Sequence, residues 1–584
     1  MSKGYDLGLD FKPATAEHPR LINTLSFPTG ARHWFPCFDS PNDKATEEVI
    51  ATVRRGYSVI SNGTLLSVTD HADGSRTFHW SQDLPHSTYL FVLAAGPYVE
   101  LKDSLGSLPI DYWVYPKDSA DAWRSFRKTP EIIDFFNKEF GFPYPWAKYD
   151  QITIPGIGGG AESTTATVVG ESTIHDERAD VDFPSHWLVA HEAAHQWWGD
   201  LITMRDWSQT WLNESFATYS EYRYSRYSLG EDEGALNLLN KKNQYLNEAR
   251  TKYKRPIVFD RWNYPNENFD AHTYPKGAAV LNMLHWIMGD RPFHRALSYF
   301  LHSHAFQPVD THDLLIAIRE STGQVLDWFF EEWIYKAGHP VFDVSSSWDE
   351  QTHRIHLNVV QKQGTSEWIP IFRMPVLIGI TTASGKRVER VWIKGREESY
   401  TFDSPERPLL VRFDEGNHLL KEWTYKKSLD ELLYQLEHDD VIGRLWAAGE
   451  LKDRVSDSRV SRALQRRAES DSFWAVRRSA IDILAEGHGG DLKEFFMRRA
   501  QDEKSRVRAS ALHALGLLGD SSLVPFLRGV FEKDRSYVVC GAALKALASC
   551  GGEAVKGYLE DASRLPSYRD IIRKAAIDGL KIIH

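Results

Sequence analysis

The run His191-Glu192-Ala193-Ala194-His195, followed after eighteen residues by Glu214, limits what this 584-residue chain can fold into. On a helix, two histidines four apart lie one above the other on one face, so both imidazoles can reach a single metal ion. A catalytic zinc usually takes three protein ligands and keeps a fourth position for water, and a carboxylate on a following helix is a common third ligand. Glu214 is that candidate. Glu192 projects beside the metal rather than onto it, where it can take a proton from water and later give it to a leaving amine. The pattern calls for two neighbouring helices with their ligand faces together and for hydrolytic chemistry. HExxH by itself also occurs on amphipathic helices whose histidines are only solvated, so the flanking residues carry the decision.

Those residues read HEAAHQWWGDLIT, then TWLNESFATYSE, with GGGAES upstream. All three runs resemble the gluzincin zinc aminopeptidases, peptidase family M1, the group of membrane alanyl aminopeptidase and leukotriene hydrolase. The corresponding patterns there are HExxHxWxGDLVT, NEGFA and GxMEN. The resemblance implies one zinc ion per chain on His191, His195 and Glu214, with Glu192 as the proton-transferring residue. It also implies that Gly159, Gly160 and Ala161 run beside the substrate backbone and that Glu162 pairs with the substrate's α-ammonium. A carboxylate fixed at a set distance from the metal selects peptides with a free amino terminus, because an internal peptide offers no charge to neutralise it. Ala161 and Ser163 stand where the family has Met and Asn, which alters the floor of the side-chain pocket and one backbone contact. Sixty residues after Glu214, Thr273-Tyr274-Pro275-Lys276-Gly277-Ala278 is similar to the family's YxKGA segment. By that resemblance Tyr274 donates a hydrogen bond to the developing oxyanion.

A chain of this length exceeds one core, and about three to five domains are expected. Residues 1–103 carry short alternating runs, 48–53, 57–62 and 89–93, separated by Asn-Gly and Asp-Gly turn signals, and read as β-structure. Residues 104–340 mix strands with long helices and hold the metal motif. Asp182 and Pro184 suit the start of a helix running to Trp198 with Gly199 as its stop, and a second helix is expected over 207–227. Trp197, Trp198, Trp207 and Trp211 are read as core packing, and His175, His186 and His272 as packing or surface residues. Residues 341–427 return to strand patterns and fit a small sandwich. In 428–584, Asp440, Asp471, Asp502 and Asp534 recur every 31 or 32 residues, each ahead of an alanine-rich helix marked by Ala448, Ala480, Ala511 and Ala543, with a degenerate unit at Ala576. That period is the one of a HEAT-like solenoid of helix pairs.

The expected fold is therefore multidomain α+β: a partial N-terminal β domain, a thermolysin-like zincin catalytic domain, a small β-sandwich and a C-terminal HEAT-like α-solenoid. Trp34-Phe35-Pro36-Cys37-Phe38-Asp39-Ser40-Pro41 is similar to the family's FPCFDEP segment, which lies well inside an N-terminal β domain. Roughly the first half of that domain has no counterpart here, as a fragment or a reduced domain would show. Ten positions before the cysteine, where the family usually has a Gln or Glu that helps hold the amine, the count falls on Phe27.

A net charge of −11 from 69 basic and 80 acidic residues argues against a nucleic-acid surface. Three scattered cysteines imply no disulfide framework. No apolar run looks long enough to cross a bilayer and the start lacks a signal-peptide core, so a cytoplasmic protein is expected as written, with export open to a longer N-terminus. The resulting expectation is a zinc-dependent aminopeptidase acting on peptides with a free amino terminus. Its rivals are a scaffold or binding protein that kept the fold, favoured by Phe27, Ala161 and Ser163, and a zinc hydrolase of other specificity, an endopeptidase or epoxide hydrolase.

Overall fold

The computed structural model describes residues 8–15, 18–488 and 492–583. Strands β1 (Gly8–Lys12), β2 (Leu21–Leu25), β3 (Lys44–Val53), β4 (Ser58–Ser61), β5 (Thr64–Asp70), β6 (Arg76–Ser87) and β7 (Leu93–Gly96) build the N-terminal part. They form two sheets, β1-β2-β7-β4 and β3-β6-β5, whose inward side chains Val59, Phe78, Trp80 and Ala95 meet in one core. The run 89–93, expected as a strand, is one only at its last residue. Thr88–Leu90 form a 3₁₀ turn instead. The reason is a side chain acting as strand partner: Asn62 accepts from the Val92 amide and donates to the Leu90 carbonyl, and Tyr89 is freed to turn its ring into the neighbouring domain.

Strands β8 (Val99–Leu105), β9 (Leu108–Val114), β10 (Tyr149–Ile154), β11 (Gly160–Ala161) and β12 (Ala166–Gly170) make a further sheet in the order β11-β12-β10-β9-β8. β9, β10 and β12 are parallel, and every residue of β10 and β12 is buried, as expected for strands covered on both faces. Helix α1 (His186–His195) packs against β11 of this sheet, α2 (Trp211–Leu229) packs on α1, and α3 (Gly277–Met288) packs on α2. Trp197, Trp198, Trp207 and Trp211 are all buried, as core packing requires. Helix α1 stops at His195, four residues before Gly199. There the chain turns back on itself, with the Asp200 amide donating to the His195 carbonyl and Gly199 at φ 140°.

The strands Val341–Asp349, Arg354–Gln361, Glu397–Asp403 and Glu422–Tyr425 form one sheet of a sandwich. Met374–Thr382, Gly385–Ile393 and Leu410–Phe413 form the other, and the inner faces share a continuous core with the part that holds α1 and α2. The C-terminal helices stack in pairs from Leu429–His438 to Ile571–Ile583. Ala448, Ala480, Ala511, Ala543 and Ala576 are fully buried where helices approach. The recurring aspartates have a physical role that the period alone does not show. Arg444 bonds Asp471, Arg477 bonds Asp502 through two nitrogens at 2.9 Å, and Arg508 bonds Asp534 at 2.8 and 2.9 Å, so each repeat is stapled to the next. One stretch, Tyr537–Ala562, is apolar and long enough to span a bilayer by composition, contrary to the sequence expectation. Over half of its most apolar window is buried inside the solenoid, which is the burial of a core helix.

Candidate active site

The spacing of His191 and His195 puts both Nε2 atoms on one face of α1, 3.3 Å apart. Oε2 of Glu214, from the first turn of α2, lies 3.4 Å from His191 Nε2 and 3.2 Å from His195 Nε2. The three atoms form a nearly equilateral triangle. Its sides match the edge of about 3.3 Å expected for ligands around a tetrahedral zinc with bonds near 2.0–2.1 Å. The donor chemistry fits too. His195 Nδ1 is 2.9 Å from the Trp198 carbonyl, so that nitrogen carries the proton and Nε2 turns a lone pair inward. Among the described residues Glu214 Oε2 is buried without a hydrogen-bond partner. Lone pairs converging on one buried point suit a bound cation, so these residues fit the divalent metal that the motif implies. On the outer side of His191, Glu221 Oε2 stands 3.9 Å from Nδ1 and Lys241 holds the other oxygen at 2.8 Å.

Glu192 points from α1 toward β11, and burial lifts its carboxyl well above the usual range, with Glu162 and Glu214 adding and His195 opposing. Glu162 follows β11 directly. Its backbone carbonyl accepts from Gln196 at 3.1 Å, while its Oε1 is buried with no partner among the described residues. Oxygens of Glu162 and Glu192 and a nitrogen of His195 lie within 4.8 Å of one another. Burial raises the Glu162 carboxyl as well, His195 opposing. Tyr274 stacks its ring on His191 with centroids 6.1 Å apart at 20°. Burial, then the Glu214 and Glu162 carboxylates, push its phenol well above the ordinary value, so it stays protonated as a donor.

Gly160 and Ala161 pair with Val169 and Val168 of β12, and among the described residues the other edge of β11, beside the metal site, has no strand. Gly159 sits at φ 90°, a conformation that favours glycine. A cavity of about 820 Å³ opens from Gly158 and Gly159 past Glu221 to Trp474, Arg506 and Tyr568 of the solenoid. All nine residues singled out from the sequence, Gly159, Gly160, Ala161, Glu162, His191, Glu192, His195, Glu214 and Tyr274, thus come from elements that meet around one point. Phe27 lies close by as part of an aromatic cluster, its ring 5.7 Å from Tyr89, 5.9 Å from Trp207 and 4.9 Å from Phe269. His175 and His272 are buried in other hydrogen-bond networks, and neither joins the triangle.

Two contributors escaped the sequence reading. Gln196 accepts from the Thr165 amide and donates to Asp200 and to the Glu162 carbonyl, locking the strand of Glu162 to the helix of the metal histidines. Asn213, beside Glu214, donates to Tyr89 of the N-terminal part and accepts from the Met204 amide. Their only sequence signal is adjacency to a ligand.

Residues 124–333 match the model of the peptidase family M1 domain, residues 11–90 the peptidase M1 N-terminal domain, and 461–548 and 493–581 HEAT repeats. A leucyl aminopeptidase of Saccharolobus solfataricus is 30% identical over 547 residues, 88% of this chain and 67% of that protein. The chain belongs to peptidase family M1. A probable aminopeptidase 1 of Sulfurisphaera tokodaii is 33% identical over 339 residues, 56% of this M1 chain and 43% of that relative. The chain spans less than half the length of several of the curated M1 relatives it matches. A crystal structure of Legionella pneumophila aminopeptidase A in complex with aspartic acid superposes with a TM-score of 0.84 over 98% of this chain and 73% of that one, at 19% identity, which shows a shared M1 fold.

Proposed function

We propose that this M1 chain is a zinc-dependent aminopeptidase, with one zinc ion per chain, that removes residues from the free amino terminus of peptides. The observation that carries the reading is the unpartnered, buried Oε1 of Glu162 next to the ligand triangle. A buried carboxylate oxygen without a donor is costly, and a substrate ammonium is the group that would pair with it.

His191, His195 and Glu214 would hold the metal, which when bound supplies Lewis-acid polarisation of a carbonyl and acidifies water. Glu192 takes a proton from the attacking water at its carboxylate and delivers it to the leaving nitrogen. Its burial makes it a strong base once ionised and a stable acid once protonated. Tyr274 keeps its proton and donates a hydrogen bond to the carbonyl oxygen as negative charge grows there, an interaction that strengthens toward the transition state. Glu162 fixes the ammonium, so the bond presented to Glu192 is the one following the first residue. The open edge of β11 offers backbone groups to an extended substrate, as in strand addition.

Hydrolysis of a panel of aminoacyl arylamides by the purified chain, with chelator and with zinc restored, tests the proposal. Release from free-amine substrates, lost on chelation and absent for their N-acetylated forms, is expected. Equal cleavage of acetylated substrates would remove Glu162 from its role, and no release by a zinc-loaded chain would favour the scaffold.

A further inference from the structure

We infer that Arg255 and Asp270 form a clamp that sets the position of Tyr274, which makes Arg255 a positioning residue for the hydrolysis. The inference rests on the role given to Tyr274 above. Tyr274 does not lie on a regular element. It sits inside a π-helical turn, His272–Lys276, that also contains Pro275. A wide turn with a proline inside has lost part of the regular helical hydrogen bonding, so other groups must hold its backbone.

Asp270 supplies them. Its Oδ1 accepts from the amides of His272 at 2.8 Å and Thr273 at 3.2 Å, the two residues that lead into Tyr274. Arg255 grips the same carboxylate with both arms of its fork, Nε to Oδ2 at 2.9 Å and Nη2 to Oδ1 at 2.7 Å. Nη2 also donates to the Asn268 carbonyl and the Thr273 hydroxyl, and Nη1 donates to the carbonyls of Pro256 and Ile257. The guanidinium is thus saturated, and it is only 5% exposed. A planar fork with this many acceptors fixes direction as well as distance, which a lysine ammonium cannot reproduce.

The other end of the turn is fastened to the ligand helix. Ser215, the neighbour of Glu214, donates to the Thr273 carbonyl at 2.6 Å, and an ideal Cβ on Gly277 would lie 1.8 Å from the Ser215 hydroxyl. Tyr274 is therefore held between Glu214's helix on one side and the Arg255–Asp270 pair on the other. Removing one side lets the phenol drift relative to His191, and displacements near 1 Å cost about 100-fold in rate.

Two measurements on the full-length, zinc-loaded chain decide this. The first uses turnover of an alanyl arylamide. Arg255→Lys is expected to lower kcat about 10–100-fold with KM within about twofold, and the same change in a Tyr274→Phe background to lower kcat by less than about twofold, because the hydroxyl it serves is gone. Equal losses in both backgrounds, or a loss carried by KM, would overturn the clamp. The second needs no turnover: amide exchange followed by mass spectrometry should speed up at least about tenfold for 272–276 in Arg255→Lys while peptides from α1 keep their protection. Unchanged exchange there would also overturn it. Should Arg255→Lys fail to fold, Asp270→Asn keeps an acceptor oxygen, removes the paired charge and is read in the same two ways. A wild-type chain that releases no arylamide counts against the proposed function, and the exchange measurement still judges the clamp.

Discussion

An ideal Cβ placed on Gly160 would lie 2.4 Å from the Glu192 carboxylate. The edge strand β11 and the metal helix are that close, so a side chain at 160 would have to displace the Glu192 carboxylate. Gly160→Ala should push Glu192 off its line to the attacking water and lower kcat by about 100-fold or more, with the metal retained. Glu192→Gln should be lower still, because it removes the base itself. Steady-state kinetics with metal analysis of each variant checks both. An alanine variant of normal kcat would show that β11 can retreat at no cost.

Glu221 faces the outer nitrogen of His191, with Lys241 holding its second oxygen. At 3.9 Å the carboxylate is too far for a direct hydrogen bond, so it acts through its charge, which favours a more basic imidazole. Glu221→Gln should weaken metal binding about 10–100-fold while leaving the saturated enzyme nearly as active. Competition with a chelator of known affinity measures this, and an unchanged dissociation constant would separate Glu221 from the metal site.

The ligand set was legible because it obeys local rules: two histidines one helical turn apart, and a carboxylate in the first turn of the following helix. The solenoid was legible for a similar reason, since a repeat is a local period. Contacts between distant segments have no such signature. Asp182 suggested a helix start. In the fold it caps no helix; its carboxylate accepts from Ser505 and Ser536 of two successive repeats, more than 300 positions away. Phe27 was marked by what it is not, a Gln or Glu. Only the fold shows what it does, which is to close an aromatic cluster with Tyr89, Trp207 and Phe269. The helix end at His195 was missed because the preference for glycine as a stop yielded to a turn tied by Gln196 and Asp200.

The Asp182 contact carries its own prediction. Four residues before α1 begins, it docks the metal helix's approach segment onto the solenoid, and neighbouring Arg178 adds bonds to the carbonyls of Asp534 and Arg535. Asp182→Ala leaves the buried Ser505 and Ser536 hydroxyls without their acceptor, and each such loss costs about 1–3 kcal/mol. The first calorimetric transition should move down, with Asp182→Asn shifting it less because one oxygen remains. Coincident transitions for all three proteins would show that the two domains dock independently of this residue.

Acid should loosen a different junction. Asp414 of the sandwich is buried and accepts from the His418 and Leu419 amides and from Lys421, while Lys242 of the catalytic part caps the carbonyls of Asn417, His418 and Leu419. Burial alone would raise the Asp414 carboxyl, but Lys421 and Lys242 outweigh it and bring it down to about 2. A folded value below the unfolded one of about 3.9 means that the native state prefers the ionised form. The stabilisation is therefore complete above about pH 4 and is lost as pH falls toward 2. Asp414→Asn, which leaves Lys421 buried without its counter-charge, should cost about 3–5 kcal/mol at neutral pH. The gap between variant and wild type should then narrow between about pH 4 and pH 2 as the wild-type carboxylate is itself neutralised. Denaturant titrations of both proteins across that range test the sign, and a gap that stays constant to pH 2 would mean that the ion pair is not what holds the sandwich to the catalytic part.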